Sequence, residues 1–155
     1  METVERLWAI EQIKQLKARY FRFLDTKDWE GMRTIWAEDA VFDARTALTI
    51  DPTGRGTNGA DWLWSGRDGI VAAISSGVTV PTAHHGHCHE IEVLSPTEAR
   101  GVIAMEDYVW PEPGDTRKTA LHGFGHYHEE YRLRGGCWQI WRSRLSRLNV
   151  MAAGL

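Results

Sequence analysis

A cluster of four histidines is the first group in this chain whose residue types and spacing point to chemistry. The cluster runs His84-His85-Gly86-His87-Cys88-His89. Because strand side chains alternate between two faces, His85 would share a face with the apolar Ile91, and His84 would lie on the other face. A neutral imidazole can act as a general base near neutral pH or bind Zn²⁺. No third ligand stands at metal-binding spacing, so the cluster favours a general base over a metal site.

A carboxylate on an apolar strand face is the second candidate. Alternation places Asp107 on the same face as Ile103 and Met105. A carboxylate there stays ionised only if it is paired, hydrogen-bonded or beside a wet cavity. The pattern therefore predicts either a catalytic group or a buried salt bridge with an arginine of the last strand. The arginines of that strand are Arg142, Arg144 and Arg147.

A tyrosine and an aspartate near the end of the first predicted helix form a third candidate pair. Tyr20 lies on the apolar stripe of this helix, and Asp25 follows five residues later. Five residues correspond to a rotation of about 140° beyond one full turn. The two side chains can therefore converge only because the helix is expected to end near Asp25.

Two glycines on a later strand also carry information. Gly123 and Gly125 share one face, which predicts a close approach of backbone or ligand, or a bend in the sheet. The alternating His126 and His128 beside them could line a pocket or a subunit interface.

The elements that must position these residues are three helices followed by a run of strands. Apolar residues recur at three- and four-residue steps in the first helix, and Asp28 is a suitable N-cap for the second. The predicted helices cover about 3–25, 29–36 and 70–76, and the predicted strands cover 40–43 and about 79–94, 97–110, 118–133 and 137–150. Residues 45–65 are predicted to form a long loop. Helices followed by a meander indicate an α+β fold, with the helices on one face of a curved antiparallel sheet.

Composition limits the classes of protein to which the chain can belong. It has 155 residues, 43% of them hydrophobic, and a formal net charge of −3, so one domain over residues 1–155 is expected. The charge argues against nucleic-acid or acidic-membrane partners. Apolar runs fall short of the ~20 residues of a membrane span, and the start of the chain does not resemble a signal peptide. Two cysteines do not indicate a disulfide framework, so a cytoplasmic protein is expected.

Several segments resemble the SnoaL-like family of the nuclear transport factor 2-like superfamily. They are Asp28-Trp29-Glu30, Trp36-Ala37-Glu38-Asp39-Ala40, Gly66-Arg67-Asp68-Gly69-Ile70, His84-His85-Gly86-His87, Ala104-Met105-Glu106-Asp107-Tyr108 and Trp138-Gln139-Ile140. The resemblance implies a cystatin-like cone, with three N-terminal helices packed on a strongly curved antiparallel sheet. It also implies a homo-oligomer, a dimer or a trimer, formed through the open sheet face.

The resemblance is nearest to lyases of the bile-acid 7α-dehydratase and hexachlorocyclohexane dehydrochlorinase types. By position, it implies a catalytic set of His84, Asp25, Tyr20, Asp107 and Arg147. Simple alternation instead places His85 on the apolar face. A bulge before Glu90 would reconcile the two, with His85 kept as the alternate.

The resulting hypothesis is a cofactor-independent lyase or isomerase that acts on a small hydrophobic cyclic compound. The expected substrate-binding residues are Trp36, Phe42, Trp62, Trp64, Met105, Phe124, His85 and Arg144. Residues 45–65 would form a lid over them. The superfamily hosts many functions, so the alternative is a non-catalytic binding or assembly module, like the small subunit of ring-hydroxylating dioxygenases.

Overall fold

Helices lead the chain and strands end it. The computed structural model describes residues 1–53, 56, 61–112, 114–115 and 120–153, with the backbone alone for 152 and 153. The helices are α1 (Thr3–Thr26), α2 (Trp29–Ile35) and α3 (Arg67–Gly77). The strands are β1 (Trp36–Asp43), β2 (Leu63–Ser65), β3 (Thr82–Ser95), β4 (Glu98–Val109), β5 (Ala120–Arg134) and β6 (Cys137–Ala153). The predicted α+β class is confirmed.

The strands form one six-stranded sheet in the order β2-β1-β6-β5-β4-β3. Strands β3 to β6 form the predicted antiparallel meander. Strand β1 departs from this pattern because it pairs with β6 in parallel. The sheet face that packs against α1 is called the inner face below, and the opposite face is called the outer face.

Helix α1 ends where the sequence predicted. Lys27 adopts a left-handed conformation with φ 60°, and its backbone N–H returns to the carbonyl of Leu24. This turn stops the helix just after Asp25. The carboxylate therefore projects from the helix end toward the start of β3, and not along the helix surface.

The boundary between α2 and β1 differs from the prediction. Asp28 caps α2 as expected, accepting a hydrogen bond of 2.8 Å from the Gly31 backbone. Trp36, however, is the first residue of β1 and has extended φ and ψ of −93° and 140°. Trp36 pairs with Ile140 of β6. This sheet pairing determines the conformation of Trp36, although the four-residue spacing from Met32 would suit a helix.

The predicted loop over residues 45–65 contains a strand. Leu63–Ser65 pairs with Val41–Asp43 and forms the edge of the sheet. Residues 54, 55 and 57–60 lie outside the described part of the chain. The predicted lid over residues 45–65 includes these positions. None of the described helices is long and apolar enough to cross a membrane.

A buried ion pair joins α1 to the inner face. Lys17 and Glu129 have fully buried side chains, and Lys17 Nζ lies 2.7 Å from Glu129 Oε1. Ser143 and Tyr131 donate further hydrogen bonds to the same carboxylate, at 2.9 and 2.6 Å. Burial lowers the pKa of Lys17, and the charge of Glu129 opposes that shift. The Glu129 carboxylate thus has partners for both oxygens, which is what a buried charge requires.

Removing one charge of this pair should destabilise the fold strongly. We expect Lys17→Met to cost about 3–5 kcal/mol in the free energy of unfolding, because it leaves Glu129 buried without a counter-ion. The double variant Lys17→Met/Glu129→Gln should recover much of that loss. Urea denaturation measures both variants, with the exposed Lys14→Met as the matched control. Equal stability of the Lys17 and Lys14 variants would contradict the prediction.

Candidate active site

The ends of α1 and β3 bring an aspartate and a histidine together. His84 Nδ1 lies 2.6 Å from Asp25 Oδ1, and the His84 backbone N–H donates to Oδ2 at 2.8 Å. The hydroxyl of Thr82 donates to Oδ1 at 2.9 Å. Three hydrogen bonds therefore hold the carboxylate against the imidazole.

These bonds set the charge of Asp25 and the tautomer of His84. Burial alone would raise the Asp25 pKa, but hydrogen bonds from His84 and Thr82 outweigh it and lower the pKa below its ordinary value. Because an ionised carboxylate only accepts hydrogen bonds, Nδ1 of His84 carries the proton. The Nε2 atom lies 3.9 Å from Asp107 Oδ2, too far for a hydrogen bond. Its lone pair therefore remains available as a base.

A β-bulge explains why alternation alone pointed to the neighbouring histidine. The pairing of β3 with β4 shifts between His87 and Glu90, and Cys88 has a positive φ of 45°. The shift reverses the faces on the two sides of the bulge. His84 consequently lies on the inner face with 8% of its side chain exposed, whereas His85 lies on the outer face with 53% exposed.

Asp107 and Arg147 form a second buried pair beside His84. Both Asp107 oxygens accept from the guanidinium at 2.7 Å, and Arg147 Nε donates to the carbonyl of Ala47 at 2.7 Å. Asp107 lies opposite His84 in the sheet register. The salt bridge that the sequence left open is thus formed with Arg147 and not with Arg142 or Arg144.

Gly123 makes this ion pair sterically possible. It lies opposite Asp107 on β5, and a Cβ at this position would collide with Asp107 Oδ1 and Arg147 Nη1. A Cβ on Gly125 would likewise collide with the backbone carbonyl of Ser146. The predicted close approach at the two glycines is therefore confirmed, and side chains and backbone fill the space.

Aromatic rings extend from His84 across the inner face. The ring of Phe21 stacks on His84 at a centroid distance of 6.3 Å, and it contacts Tyr20 at 5.5 Å. Tyr20 contacts Trp36 at 6.0 Å and Tyr127 at 5.7 Å. Burial raises the Tyr20 pKa, and a hydrogen bond with Tyr127 opposes the shift. The Tyr20 hydroxyl therefore stays protonated and can donate.

Four further residues of the predicted pocket lie along this side of the sheet. Phe42 contacts both Trp36 and Trp64, at 5.6 and 5.7 Å, and Trp62 stacks on Trp64 at 6.4 Å. Met105 is buried with its sulfur 3.4 Å from Arg147 Nη1. Ring contacts thus link Phe42, Trp64 and Trp62 to Trp36, and Met105 adjoins the Asp107–Arg147 pair.

The structure does not bring His85, Phe124 and Arg144 into this group. His85 lies on the outer face, 3.5 Å from Glu106 Oε1. Phe124 pairs with Glu106 on that face, and Arg144 pairs there with His128 and donates to the carbonyl of Thr53. The alternation of side chains along β3, β5 and β6 places these three residues on the face opposite His84.

The outer face holds a broad groove of about 930 Å³. Charged residues of both signs line it, and Val41, Leu63 and Val102 add apolar surface. The groove is separated from His84 by the thickness of the sheet, and it is a feature that sequence reasoning missed. Among the described residues, no three His, Cys, Asp or Glu side chains are arranged to hold a metal ion.

Sequence reasoning also missed two residues of the inner face. Phe21 lies against His84 because Gly86 has no side chain, and a Cβ there would overlap the Phe21 ring. Tyr127 is two residues after Gly125 on the same strand, so strand alternation could have predicted that it shares the inner face with Gly123 and Gly125. Its contact with Tyr20 depends on how α1 is placed, which the strand pattern does not encode.

Filling the space at Gly123 should disrupt the Asp107–Arg147 pair. We expect Gly123→Ala to lower the free energy of unfolding by about 1–3 kcal/mol, because the added methyl displaces one partner in a packed interior. Gly69→Ala is the matched control, since its Cβ meets nothing within 4 Å. Thermal denaturation compares the two, and a Gly123 variant as stable as the Gly69 variant would refute the steric argument.

The lowered pKa of Asp25 predicts a pH dependence of stability. Since the folded pKa lies below the unfolded one, the stabilisation is complete above the unfolded value of about 3.9. It is lost as the pH falls through the folded pKa. The Tm difference between wild type and Asp25→Asn should therefore be largest near neutral pH and shrink in acid. Exposed Asp61→Asn is the control, and a difference independent of pH would contradict the assignment.

Comparisons with known proteins identify the family of this chain. A model of the SnoaL-like domain family matches residues 5–144. A protein named probable cyclase FGR4, from Gibberella zeae, is 27% identical over 88% of this chain and 89% of its own. The toluate 1,2-dioxygenase subunit beta of Pseudomonas putida is 28% identical over 76% of each chain.

Solved structures show the same fold at low sequence identity. A protein of Novosphingobium aromaticivorans, provisionally assigned as a scytalone dehydratase, has a TM-score of 0.80 and 18% identity, covering 99% of this chain and 93% of that one. A type 2 hexachlorocyclohexane dehydrochlorinase has a TM-score of 0.76 and 18% identity, covering 99% and 94%. The family match spans most of the residues, and the structural likeness covers nearly all of them. This chain therefore belongs to the SnoaL-like domain family and has a cystatin-like fold.

Proposed function

We propose that this chain is a cofactor-independent lyase or isomerase, of dehydratase kind, acting on a small hydrophobic cyclic compound. The observation that carries the proposal is the His84–Asp25 contact of 2.6 Å, with Nε2 of the same imidazole free of hydrogen bonds to the described residues. An imidazole oriented by a carboxylate, with its second nitrogen open, is the arrangement of a general base.

The first step is a proton transfer to His84. Nε2 takes a proton from a carbon next to a carbonyl or next to the carbon that bears the leaving group. The Asp25 carboxylate stabilises the imidazolium as it forms, and it remains ionised because its pKa is lowered.

Charge that develops on the substrate is met by donors on the inner face. Tyr20 keeps its proton and can donate to a developing oxyanion or to a leaving hydroxyl. Arg147 is anchored by Asp107 and by the carbonyl of Ala47, so its charge is held in place beside His84. In an elimination, the C–H electron pair forms the double bond as the bond to the leaving oxygen breaks. The leaving hydroxyl takes the proton from the His84 imidazolium and departs as water, which restores the neutral imidazole.

The apolar surroundings select the substrate class. Trp36, Phe42 and Met105 are buried on the inner face, and Trp62 and Trp64 are half-buried beside them. Such walls suit a hydrophobic ring, with the few polar groups setting its orientation. The names of the similar proteins, a dehydratase, a dehydrochlorinase and a cyclase, support the same reaction kind.

Replacing His84 should abolish turnover, whereas replacing His85 should not. We expect His84→Ala to lower the rate by at least about 100-fold, as removal of a general base does. Asp25→Asn should lower the rate by about 10- to 100-fold, because Asp25 affects the reaction only through the imidazole of His84. His85→Ala is the matched control, since its side chain lies on the outer face.

The rates are measured on 3-hydroxy-1-tetralone, which yields 1-naphthol when water is lost, and on γ-hexachlorocyclohexane, by chloride release. If His84→Ala turned over either compound as fast as His85→Ala, that result would contradict the mechanism. The absence of turnover by the wild-type protein would favour the alternative function.

The alternative is a non-catalytic assembly module of the same fold. Two observations favour it: the similarity to a dioxygenase beta subunit and the groove of about 930 Å³ on the outer face. In that case the buried pairs would serve stability alone. The same outer face supports our proposal of a homo-oligomer, a dimer or trimer. We further propose a cytoplasmic protein without nucleic-acid or membrane partners, which the net charge of −3 supports.

A further inference from the structure

Lys27 stands where helix α1 ends, in a backbone conformation that favours glycine. Its φ of 60° and ψ of 31° are left-handed. The Lys27 N–H returns to the carbonyl of Leu24 at 3.3 Å, and the Asp28 N–H returns to the carbonyl of Phe23 at 2.9 Å. This pattern is the Schellman motif, which usually holds glycine at the left-handed position because a Cβ makes that conformation less favourable. The backbone thus favours glycine at position 27, and any advantage of lysine comes from its side chain.

The Lys27 side chain crosses from the end of α1 to the start of β3. Its Nζ donates a hydrogen bond of 3.0 Å to the hydroxyl of Thr82. Thr82 is the first residue of β3, pairs with Val109 in the sheet and is buried. Burial lowers the Lys27 pKa, whereas the charge of Asp25 opposes that shift and so favours the ammonium. An ammonium only donates hydrogen bonds, so the Thr82 oxygen is the acceptor in this contact.

The contact with Lys27 determines what the Thr82 hydroxyl can do with its one proton. The ammonium occupies a lone pair of the hydroxyl oxygen, so the proton points toward a different partner. That partner is Asp25 Oδ1 at 2.9 Å, the oxygen that also lies 2.6 Å from His84 Nδ1. The side chains form one directed chain of hydrogen bonds, in which Lys27 donates to Thr82 and Thr82 donates to Asp25. Hydrogen bonds linked in this way strengthen one another.

Asp25 needs this support because its carboxylate is not fully enclosed. Its side chain is 23% exposed, so water can compete for its oxygens. The hydrogen bond from Thr82 lowers the Asp25 pKa and holds Oδ1, while the backbone N–H of His84 holds Oδ2. An ionised carboxylate in a fixed orientation keeps the proton of the imidazole on Nδ1. Lys27 therefore supports, through Thr82 and Asp25, the tautomer of His84 that leaves Nε2 as a base.

We propose that Lys27 is a positioning residue of the proposed reaction, which holds the Thr82 hydroxyl as a donor to Asp25 and thereby orients the His84 base. The inference rests on the proposed function and deepens it. It assigns opposite effects to one side chain. The lysine weakens the end of α1, where glycine would fit better, and it improves the geometry of the acid–base pair. A residue that served the fold alone would not produce this combination.

Kinetic variants measure the contribution of Lys27 to the reaction. With 3-hydroxy-1-tetralone as substrate, Lys27→Gly and Lys27→Met should each lower kcat by at least about 3-fold, because Thr82 loses its fixed orientation. Thr82→Val should lower kcat by about 10-fold, whereas Thr82→Ser, which keeps the hydroxyl, should recover most of the loss. KM should change little, since these residues act through Asp25 and not on the substrate. Lys14→Met is the matched control for the loss of an exposed lysine on α1, and its kcat should equal that of wild type.

A double-variant cycle shows whether Lys27 acts through Thr82. In the Thr82→Val background, Lys27→Met should lower kcat less than it does in wild type, because the hydroxyl on which the lysine acts is missing. Equal losses in the two backgrounds would contradict the proposed chain of hydrogen bonds.

Stability separates the positioning role from a structural one. Lys27→Gly relieves the left-handed strain at the helix end, so its Tm should equal that of wild type or exceed it by up to about 4 °C. A kcat that falls while the Tm is maintained is the result expected of a positioning residue. A Tm lowered in parallel with kcat would overturn the inference, because the lost activity would then reflect a weakened fold.

A measurement without turnover distinguishes failure of this inference from failure of the proposed function. The ¹³C resonance of the Asp25 carboxyl carbon, identified by its loss in Asp25→Asn, is titrated with acid in wild type and variants. Lys27→Met and Thr82→Val should raise the Asp25 pKa, and Lys14→Met should leave it unchanged. An Asp25 pKa unaffected by both variants, or a kcat of Lys27→Gly equal to that of Lys14→Met, would overturn the inference. A wild type without turnover, whose Asp25 pKa still responds to the change at position 27, would contradict the proposed function alone.

Discussion

The contact between helix α1 and the inner face of the sheet is the constraint on which the rest of the structure depends. At its centre, Lys17 is buried against Glu129 at 2.7 Å, with its ammonium 3.4 Å from the centroid of the Tyr127 ring. A buried charge tolerates little displacement, since moving it away from its partner leaves both groups unpaired in a medium of low polarity. The pair therefore fixes the helix in both position and rotation, and Tyr20 and Asp25 are placed by the same helix.

Basic side chains meet carboxylates in the interior of this small domain. Lys17 meets Glu129, Arg147 meets Asp107, and Asp25 meets His84. In the first two pairs every charge is matched by an opposite one. In the third, Nε2 of the imidazole makes no hydrogen bond within the part of the chain that the structure describes. This difference separates the pairs that hold the fold together from the one that can exchange a proton with a bound molecule.

The two faces of the sheet divide the polar residues by role. On the inner face, Lys17, Asp25 and Asp107 each contact a specific partner of opposite charge or a histidine. On the outer face, His85, His87 and His122 lie within 4 Å of Glu106, among exposed and half-buried aromatic and charged side chains. Excess histidine in the composition thus reflects mainly the outer face. His84, on the inner face, is the histidine whose contact with Asp25 suits acid–base chemistry.

Much of the fold could be predicted from the sequence because it depends on local patterns. The periodicity of α1, the N-cap at Asp28 and the alternation around Asp107 each depend on neighbours along the chain. The prediction was wrong where pairing partners decide. Trp36 starts a strand because it pairs with Ile140, and Leu63–Ser65 is a strand because β1 lies beside it. Neither partner is close in sequence.

The sequence by itself determined the types of residue available, the order of the helices and of every strand except β2, and the apolar face to which Asp107 belongs. Only the tertiary structure decided between His84 and His85, because the bulge at Cys88 exchanges the faces of β3. Only the tertiary structure chose Arg147 among three arginines, and it left the Trp36 indole nitrogen without a hydrogen-bond partner among the described residues. These outcomes depend on distances between side chains far apart in the chain. The alternation of a strand depends on its own residues and can be read from the sequence. The partner of a charge or a hydrogen-bond donor depends on which distant residue the fold places opposite it.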